Sequence, residues 1–282
     1  MHHHSGCTGQ ESSVEYTHTA TTSTSQHYEQ GDKGLQMLKT LKLLFTDQHF
    51  AQISLENFFH DKFKSNSIIG DHPFFDKMKL NATPDLEENF TAIRDEAIEV
   101  LKRYEEITPF QMISPDQLHL SNDDRWKMFF LKAANIRFEK NLAMMPKTRS
   151  VLDRNPEICS AYLSILGRRK HLPPHCGPWA GLLRAHLGLI IPDTERCYIR
   201  VANKNYHWKN GEVVYFDDTY EHEAFNNTDE IRVVLFMDIL RPMKFPYNYL
   251  NKFLLFIARY LPYVKVPLQR HREWEKTFHK EI

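Results

Sequence analysis

The alternation of apolar and polar positions divides this chain into stretches of three kinds. Residues 1–30 are rich in Ser, Thr, Gln and His and carry no apolar period, and His2 to His4 directly after Met1 resemble a shortened purification tag. That stretch reads as tag and disordered leader. From Gly34 to about Phe63 the pattern turns helical, with an apolar stripe in "LQMLKTLKLLF". Thr83, Pro84 and Asp85 then open a stronger helix behind an acidic first turn. In it Leu86, Phe90, Ile93, Ala97, Val100, Leu101 and Tyr104 recur at three- and four-residue steps. A further helical stretch from Glu139 is interrupted at Pro146 and closed by Pro156.

After Pro156 the period shortens. "CSAYLSILGRRKHL", "GLLRAHLGLII", "CYIRVANK", "GEVVYFDD" and "EIRVVLFMDIL" are rich in β-branched and aromatic residues and are separated by Pro, Gly, Asn or Asp. Five such runs with no helical pattern between them imply an antiparallel barrel or sandwich. From Tyr247 to Ile282 the pattern is helical again. The expectation is a single catalytic domain over 31–282, mainly β with flanking helices: helical over 31–156, a β core over 157–242 and a helical tail over 243–282.

Composition adds limits. Hydrophobic residues at 41% and charged residues at 26% describe an ordinary globular protein. Lys plus Arg equals Asp plus Glu at 36 each, so no global charge argues for nucleic acid as a partner. Cys7, Cys159, Cys176 and Cys197 form no C-x-x-C pair, which argues against a disulfide scaffold and for a reducing, cytoplasmic setting. The apolar run Phe253 to Ala258 is far short of the ~20 residues of a membrane span. The tail places Leu250, Phe253, Leu254, Ile257 and Leu261 beside Lys252, Arg259, Lys265, Arg270 and Arg272. Such a helix ordinarily packs on its own domain; its alternative is peripheral contact with an anionic membrane surface.

Three histidines fall in or beside the β runs. His175 lies in a Pro-rich turn, His186 in "LLRAHLGL", and His222 in the turn "FDDTYEHEAF". Strand ends of a small antiparallel barrel converge on one mouth, so His175 and His222 can meet at one metal ion, and imidazole suits Fe, Zn, Cu or Ni alike. Period two puts Arg184, His186 and Gly188 on one strand face, and Arg232 on a face with Val234, Phe236 and Asp238. A guanidinium among apolar neighbours needs a partner, because burying it alone costs several kcal/mol. That partner is either an internal carboxylate such as Asp217, Asp218 or Asp238, or a carboxylate cosubstrate gripped by the guanidinium fork. Gly177, two positions after His175, stands where many iron enzymes keep a carboxylate ligand. Trp179, Trp208, Tyr206 and Tyr220 lie near the motif turns as packing or as a substrate rim, packing being the more ordinary role.

The motifs "HCGPWAGLLRAHLGLIIP", "IRVANKNYHWKNGEVVYFDDTYEHEAFN" and "RVVLFMDILRP" resemble the aspartyl/asparaginyl β-hydroxylase family of Fe(II)/2-oxoglutarate-dependent dioxygenases, over roughly residues 107–242. The resemblance implies a double-stranded β-helix, a jelly-roll or cupin-like core with helices packed outside. It implies Fe(II), 2-oxoglutarate and O2 as cofactors, with His175 and His222 as metal ligands and catalytic residues. By the same resemblance Arg232 and Ser164 bind the far carboxylate of 2-oxoglutarate, while Arg184 and His186 contact its other end. Gly177 matches a glycine of the peptidyl hydroxylase branch, which favours an aspartyl/asparaginyl residue of a peptide or protein as substrate. A lipid acyl chain or a small molecule is the alternative, as is halogenation with the halide at the vacant Gly177 position. A non-catalytic cupin-like binder fits poorly with four intact site residues.

Overall fold

The computed structural model describes residues 58–114, 118–192 and 194–280. The leader and most of the Gly34 to Phe63 helix lie outside the described residues, whose first element is a helix over 58–65.

Eleven strands and seven α-helices follow. The strands are β1 (Phe74–Phe75), β2 (Trp126–Ala133), β3 (Ile136–Arg137), β4 (Ile158–Leu166), β5 (Lys170–His175), β6 (Leu182–Ile190), β7 (Cys197–Val201), β8 (Lys204–His207), β9 (Val213–Phe216), β10 (His222–Asn226) and β11 (Arg232–Leu240). The helices are α1 (Thr83–Glu88), α2 (Phe90–Leu101), α3 (Phe110–Ile113), α4 (Glu139–Met144), α5 (Pro146–Arg154), α6 (Tyr247–Ala258) and α7 (Pro262–Phe278). All pairing is antiparallel, in a seven-stranded sheet ordered β1-β9-β6-β11-β4-β2-β3 and a four-stranded sheet ordered β5-β10-β7-β8.

Alternation along the central strands builds two cores. Leu163 and Ile165 of β4, Ala185 and Leu187 of β6, and Val233 and Leu235 of β11 point outward to α1, α2 and α5, where Leu86, Ile93, Ala97, Val100 and Val151 meet them. Leu166, Val234 and Phe216 point inward to Leu172, Ile199, Val201 and Ala224 of the smaller sheet. A third cluster, around Phe63, Trp179 and Met243, seats α6 through Leu250 and Leu254.

The mainly β architecture with flanking helices is thus as expected, but three local readings change. The stretch 31–156 is not helical throughout: β2 is a core strand of the large sheet. Its alternation escapes notice because both faces are buried, with Phe129 and Leu131 outward and Trp126, Met128 and Phe130 inward. The Pro-rich turn holding His175 is itself β5, and Pro173 and Pro174 are tolerated there because β5 is an edge strand. His222 is not in a turn; it is the first residue of β10 and lies directly across from His175. Cys159 and Cys197 are free and buried, whereas Cys176 is disulfide-bonded. No helix among the described residues is long and apolar enough to cross a membrane.

Candidate active site

The register of the large sheet arranges its inward side chains in rows. Trp126, Leu166 and Arg232 form the first row; Met128, Ser164, Val234 and Gly188 the second. A third row is aromatic, running Phe130, Tyr162, Phe236, His186 across β2, β4, β11 and β6. Tyr162 and Phe236 stack with centroids 4.4 Å apart, and His186 lies 4.8 Å from Phe236. The fourth row is polar: Ser160, Asp238, Arg184, then Phe216.

His175 and His222 face each other with ring centroids 4.1 Å apart. Each ring uses Nδ1–H to donate to the carbonyl two residues before it, His175 to Pro173 at 2.8 Å and His222 to Tyr220 at 3.0 Å. That fixes both neutral tautomers and leaves both Nε2 lone pairs without a hydrogen-bond role, the state in which imidazole ligates a metal. Burial, and then the neighbouring His222, lowers the His175 pKa to about 4; burial also lowers that of His222. Both rings therefore stay uncharged at neutral pH.

Arg232 and Arg184 occupy opposite circumstances on one sheet. Arg232 is 2% exposed and among the described residues has no carboxylate partner. Its Nη1 donates to the Ser164 carbonyl at 3.1 Å, its guanidinium lies 4.7 Å over the Trp208 ring, and its Nε has no partner. Burial pushes its pKa down to about 10. Beside it the Ser164 hydroxyl accepts from Trp126 Nε1 at 3.1 Å and keeps its own proton to donate. His186 accepts from Trp208 Nε1 at Nδ1, 3.3 Å away, so Nε2 carries the proton, and that donor too is buried without a partner. A cation and two neutral donors buried without an anionic partner fit the carboxylate of a bound anion. They fit 2-oxoglutarate, with the two free Nε2 atoms fitting a divalent metal.

Arg184 is fully engaged. Asp218 Oδ2 accepts from its Nε at 3.0 Å and its Nη2 at 2.6 Å, and Asp238 accepts from its Nη1. Of the two partners open to the strand arginines, Arg184 takes the internal carboxylates and Arg232 takes none. Asp218 in turn explains the glycine: a Cβ at Gly177 would collide with the Asp218 carboxyl group, and Gly177 N–H donates to the Asp218 carbonyl at 2.6 Å. The space a carboxylate two residues after His175 would fill is already held by a carboxylate from the other loop. Among the described residues no group of three or more His, Cys, Asp and Glu side chains is arranged to hold a metal ion. Asp217 serves the scaffold, accepting from buried Arg241 and from Thr219. Glu221 and Glu223 pair with Arg200.

Of the residues named from the sequence, His175 lies directly across from His222, and Ser164, His186 and Arg232 share the inner face of the large sheet. Sequence reasoning missed Trp126, which donates to the Ser164 hydroxyl; Trp208, 4% exposed, takes the packing role expected of it. The signal for Trp126 was the unrecognised period of β2.

A profile of the aspartyl/asparaginyl β-hydroxylase family matches residues 87–242. The ornithine lipid ester-linked acyl 2-hydroxylase of Rhizobium tropici is 42% identical over 214 residues, 76% of this chain and 76% of that protein. The aspartyl/asparaginyl β-hydroxylase of Homo sapiens is 33% identical over 162 residues, 56% of this chain but 21% of that protein. A solved Pseudomonas putida prolyl-4-hydroxylase aligns over 54% of this chain and 87% of its own at 14% identity with a TM-score of 0.35, too slight a likeness to argue from.

Proposed function

The chain belongs to the aspartyl/asparaginyl β-hydroxylase family, and on that premise we propose that it is an Fe(II)- and 2-oxoglutarate-dependent hydroxylase of lipid acyl chains. The observation that carries the reading is Arg232, a buried guanidinium without an anion, set among Ser164, His186 and the paired imidazoles.

His175 and His222 hold the metal through Nε2, their rings aimed by the Pro173 and Tyr220 carbonyls. Arg232 and Ser164 take the far carboxylate of 2-oxoglutarate, and His186 Nε2–H donates to the same molecule. Arg184 acts at one remove, holding Asp218 against Gly177 beside the histidine pair. Iron and cosubstrate together supply the oxidising power: one atom of O2 enters the substrate C–H bond as hydroxyl, the other enters succinate, and CO2 leaves. The chain's own residues provide position and a site closed to water. Halogenation is disfavoured, since a halide at the Gly177 position would abut the Asp218 carboxylate.

The lipid substrate replaces the peptide favoured by the sequence. Its support is the acyl 2-hydroxylase relative, matched over 76% of both chains. The outer side of α6 and the turn after it add to it: Tyr249, Phe253, Phe256 and Tyr260 are more than half exposed, and residues 239–272 contain basic but no acidic residues. Such a face suits peripheral contact with an anionic bilayer. The test is turnover with Fe(II), 2-oxoglutarate and an acyl-ester aminolipid, read by mass as one oxygen added to the acyl chain with stoichiometric succinate. Oxygen added to an aspartyl or asparaginyl peptide and not to the lipid would return the substrate to the peptide class.

A further inference from the structure

The inner face of the large sheet is covered twice. The four-stranded sheet covers the Arg232 end; α6 and α7 cover the other end, and between these helices and the sheet lies a cavity of about 290 Å³. We propose that this cavity holds the substrate's acyl chain, with the carbon to be oxidised at its Asp218 end, an assignment that rests on the hydroxylase reading above.

The walls decide the chemistry. Phe130 and Phe138, Leu182, and Leu255, Ala258 and Leu268 from the two helices make them apolar, and the volume is near the ~300 Å³ lower bound of small-ligand sites. At the inner end the charged groups are matched to one another, Arg184 to Asp218 and Asp238, so no free charge greets an ionised side chain. An uncharged chain loses nothing there, whereas an aspartyl carboxylate would meet two carboxylates. The aromatic row of Phe130, Tyr162, Phe236 and His186 lies between the row holding Arg184 and Asp238 and the rows holding Ser164 and Arg232, so the chain would lie on the far side of that row from the arginine that takes the cosubstrate.

A second observation points to a ligand independently. His271 in the cavity wall is 1% exposed, and its Nδ1 has no hydrogen-bond partner. Asn141 Nδ2 lies 3.4 Å from its Nε2, which makes Nε2 the acceptor and puts the proton on Nδ1. A lone neutral N–H in an apolar wall suits a neutral acceptor, and the ester or amide carbonyl of an acyl group is one. Both covering helices lie beyond residue 242, where the family match ends.

The experiment is anaerobic titration of the Fe(II)- and 2-oxoglutarate-loaded protein with fluorescent acyl amides of increasing length. Affinity should rise about fourfold per methylene, the transfer value of ~0.8 kcal/mol per CH2, and then level off when the cavity is full. Ala258→Trp, which fills the space, should weaken binding at least tenfold while the visible band of bound 2-oxoglutarate forms at unchanged concentration. Leu255→Ala should move the plateau to longer chains. Affinity independent of length, or an Ala258→Trp protein that keeps its cosubstrate band and binds the amides like the parent, overturns the assignment. If Ala258→Trp loses the band as well, the plateau shift in Leu255→Ala decides, and its absence overturns the proposal. The two readings fail separately: length-dependent binding without acyl hydroxylation removes the substrate class, whereas equal hydroxylation by parent and Ala258→Trp removes the cavity.

Discussion

Arg232 and Arg184 stand on neighbouring strands of one sheet, both turned inward against aromatic rings, Arg232 buried and Arg184 half-buried, yet Arg184 has two carboxylates and Arg232 has none. The Arg184 end is complete within the polypeptide. The Arg232 end carries a guanidinium, an imidazole N–H and a hydroxyl that the folded chain does not satisfy. Buried charge without a partner is expensive in the folded state, so its persistence marks where a ligand supplies the missing anion, while a matched charge marks scaffold.

The contrast can be broken most severely at the metal. His175→Ala or His222→Ala should reduce succinate formation to background, since each removes one of only two protein ligands; residual turnover above a tenth of the parent in either variant would dismiss the pair as the metal site. At the arginines the two variants should diverge. Arg184→Met strands Asp218 and Asp238 and should cost about 3–5 kcal/mol of stability, read by urea unfolding. Arg232→Met strands no charge and loses only the bond to the Ser164 carbonyl; it should leave the ligand-free protein within about 1 kcal/mol of the parent, yet weaken 2-oxoglutarate binding by roughly 30- to 1,000-fold, a loss of about 2–4 kcal/mol. Equal destabilisation by both substitutions would erase the distinction between the two ends.

Asp218→Asn keeps shape and loses charge beside the histidines, and a drop of about 10- to 100-fold in Fe(II) affinity is expected from an outer partner of a metal site. Gly177→Asp should also fail, by collision with Asp218, and regain part of its activity when combined with Asp218→Gly. The smallest effect concerns protons. His271 is held neutral by burial, its pKa lowered from 6.5 to about 3. The unfolded chain binds this proton first, so stability is full above pH 6.5 and declines as pH falls toward 3. His271→Phe should make the slope of unfolding free energy against pH shallower by about one proton across that window, and an unchanged slope would contradict the burial of a neutral ring.

How much of this was legible in the linear chain differs by element. The helical run opened by Thr83-Pro84-Asp85, which the structure breaks at Asn89 into α1 and α2, and the strands bearing Arg184 and Arg232 could be read because one face of each is apolar at the proper period. β2 could not, since a strand buried on both faces loses its alternation. β5 was hidden by its prolines, which disqualify a central strand and are harmless at an edge. The apolar stripe of α6 was visible, but its division into a seated side at Leu250 and Leu254 and an open side at Phe253 and Ile257 was not.

The sequence by itself determined the inventory: two histidines ahead of a strand arginine, inward faces set by period two, and helices bracketing a β core. Those follow from local stereochemistry, which depends only on neighbours along the chain. Tertiary structure alone decided which arginine is matched, that Asp218 fills the space beside Gly177, and that the last helices leave a cavity over the sheet. Each of these turns on the pairing of groups far apart in sequence, and the energies of desolvation and contact that settle such pairings exist only once the chain has closed on itself.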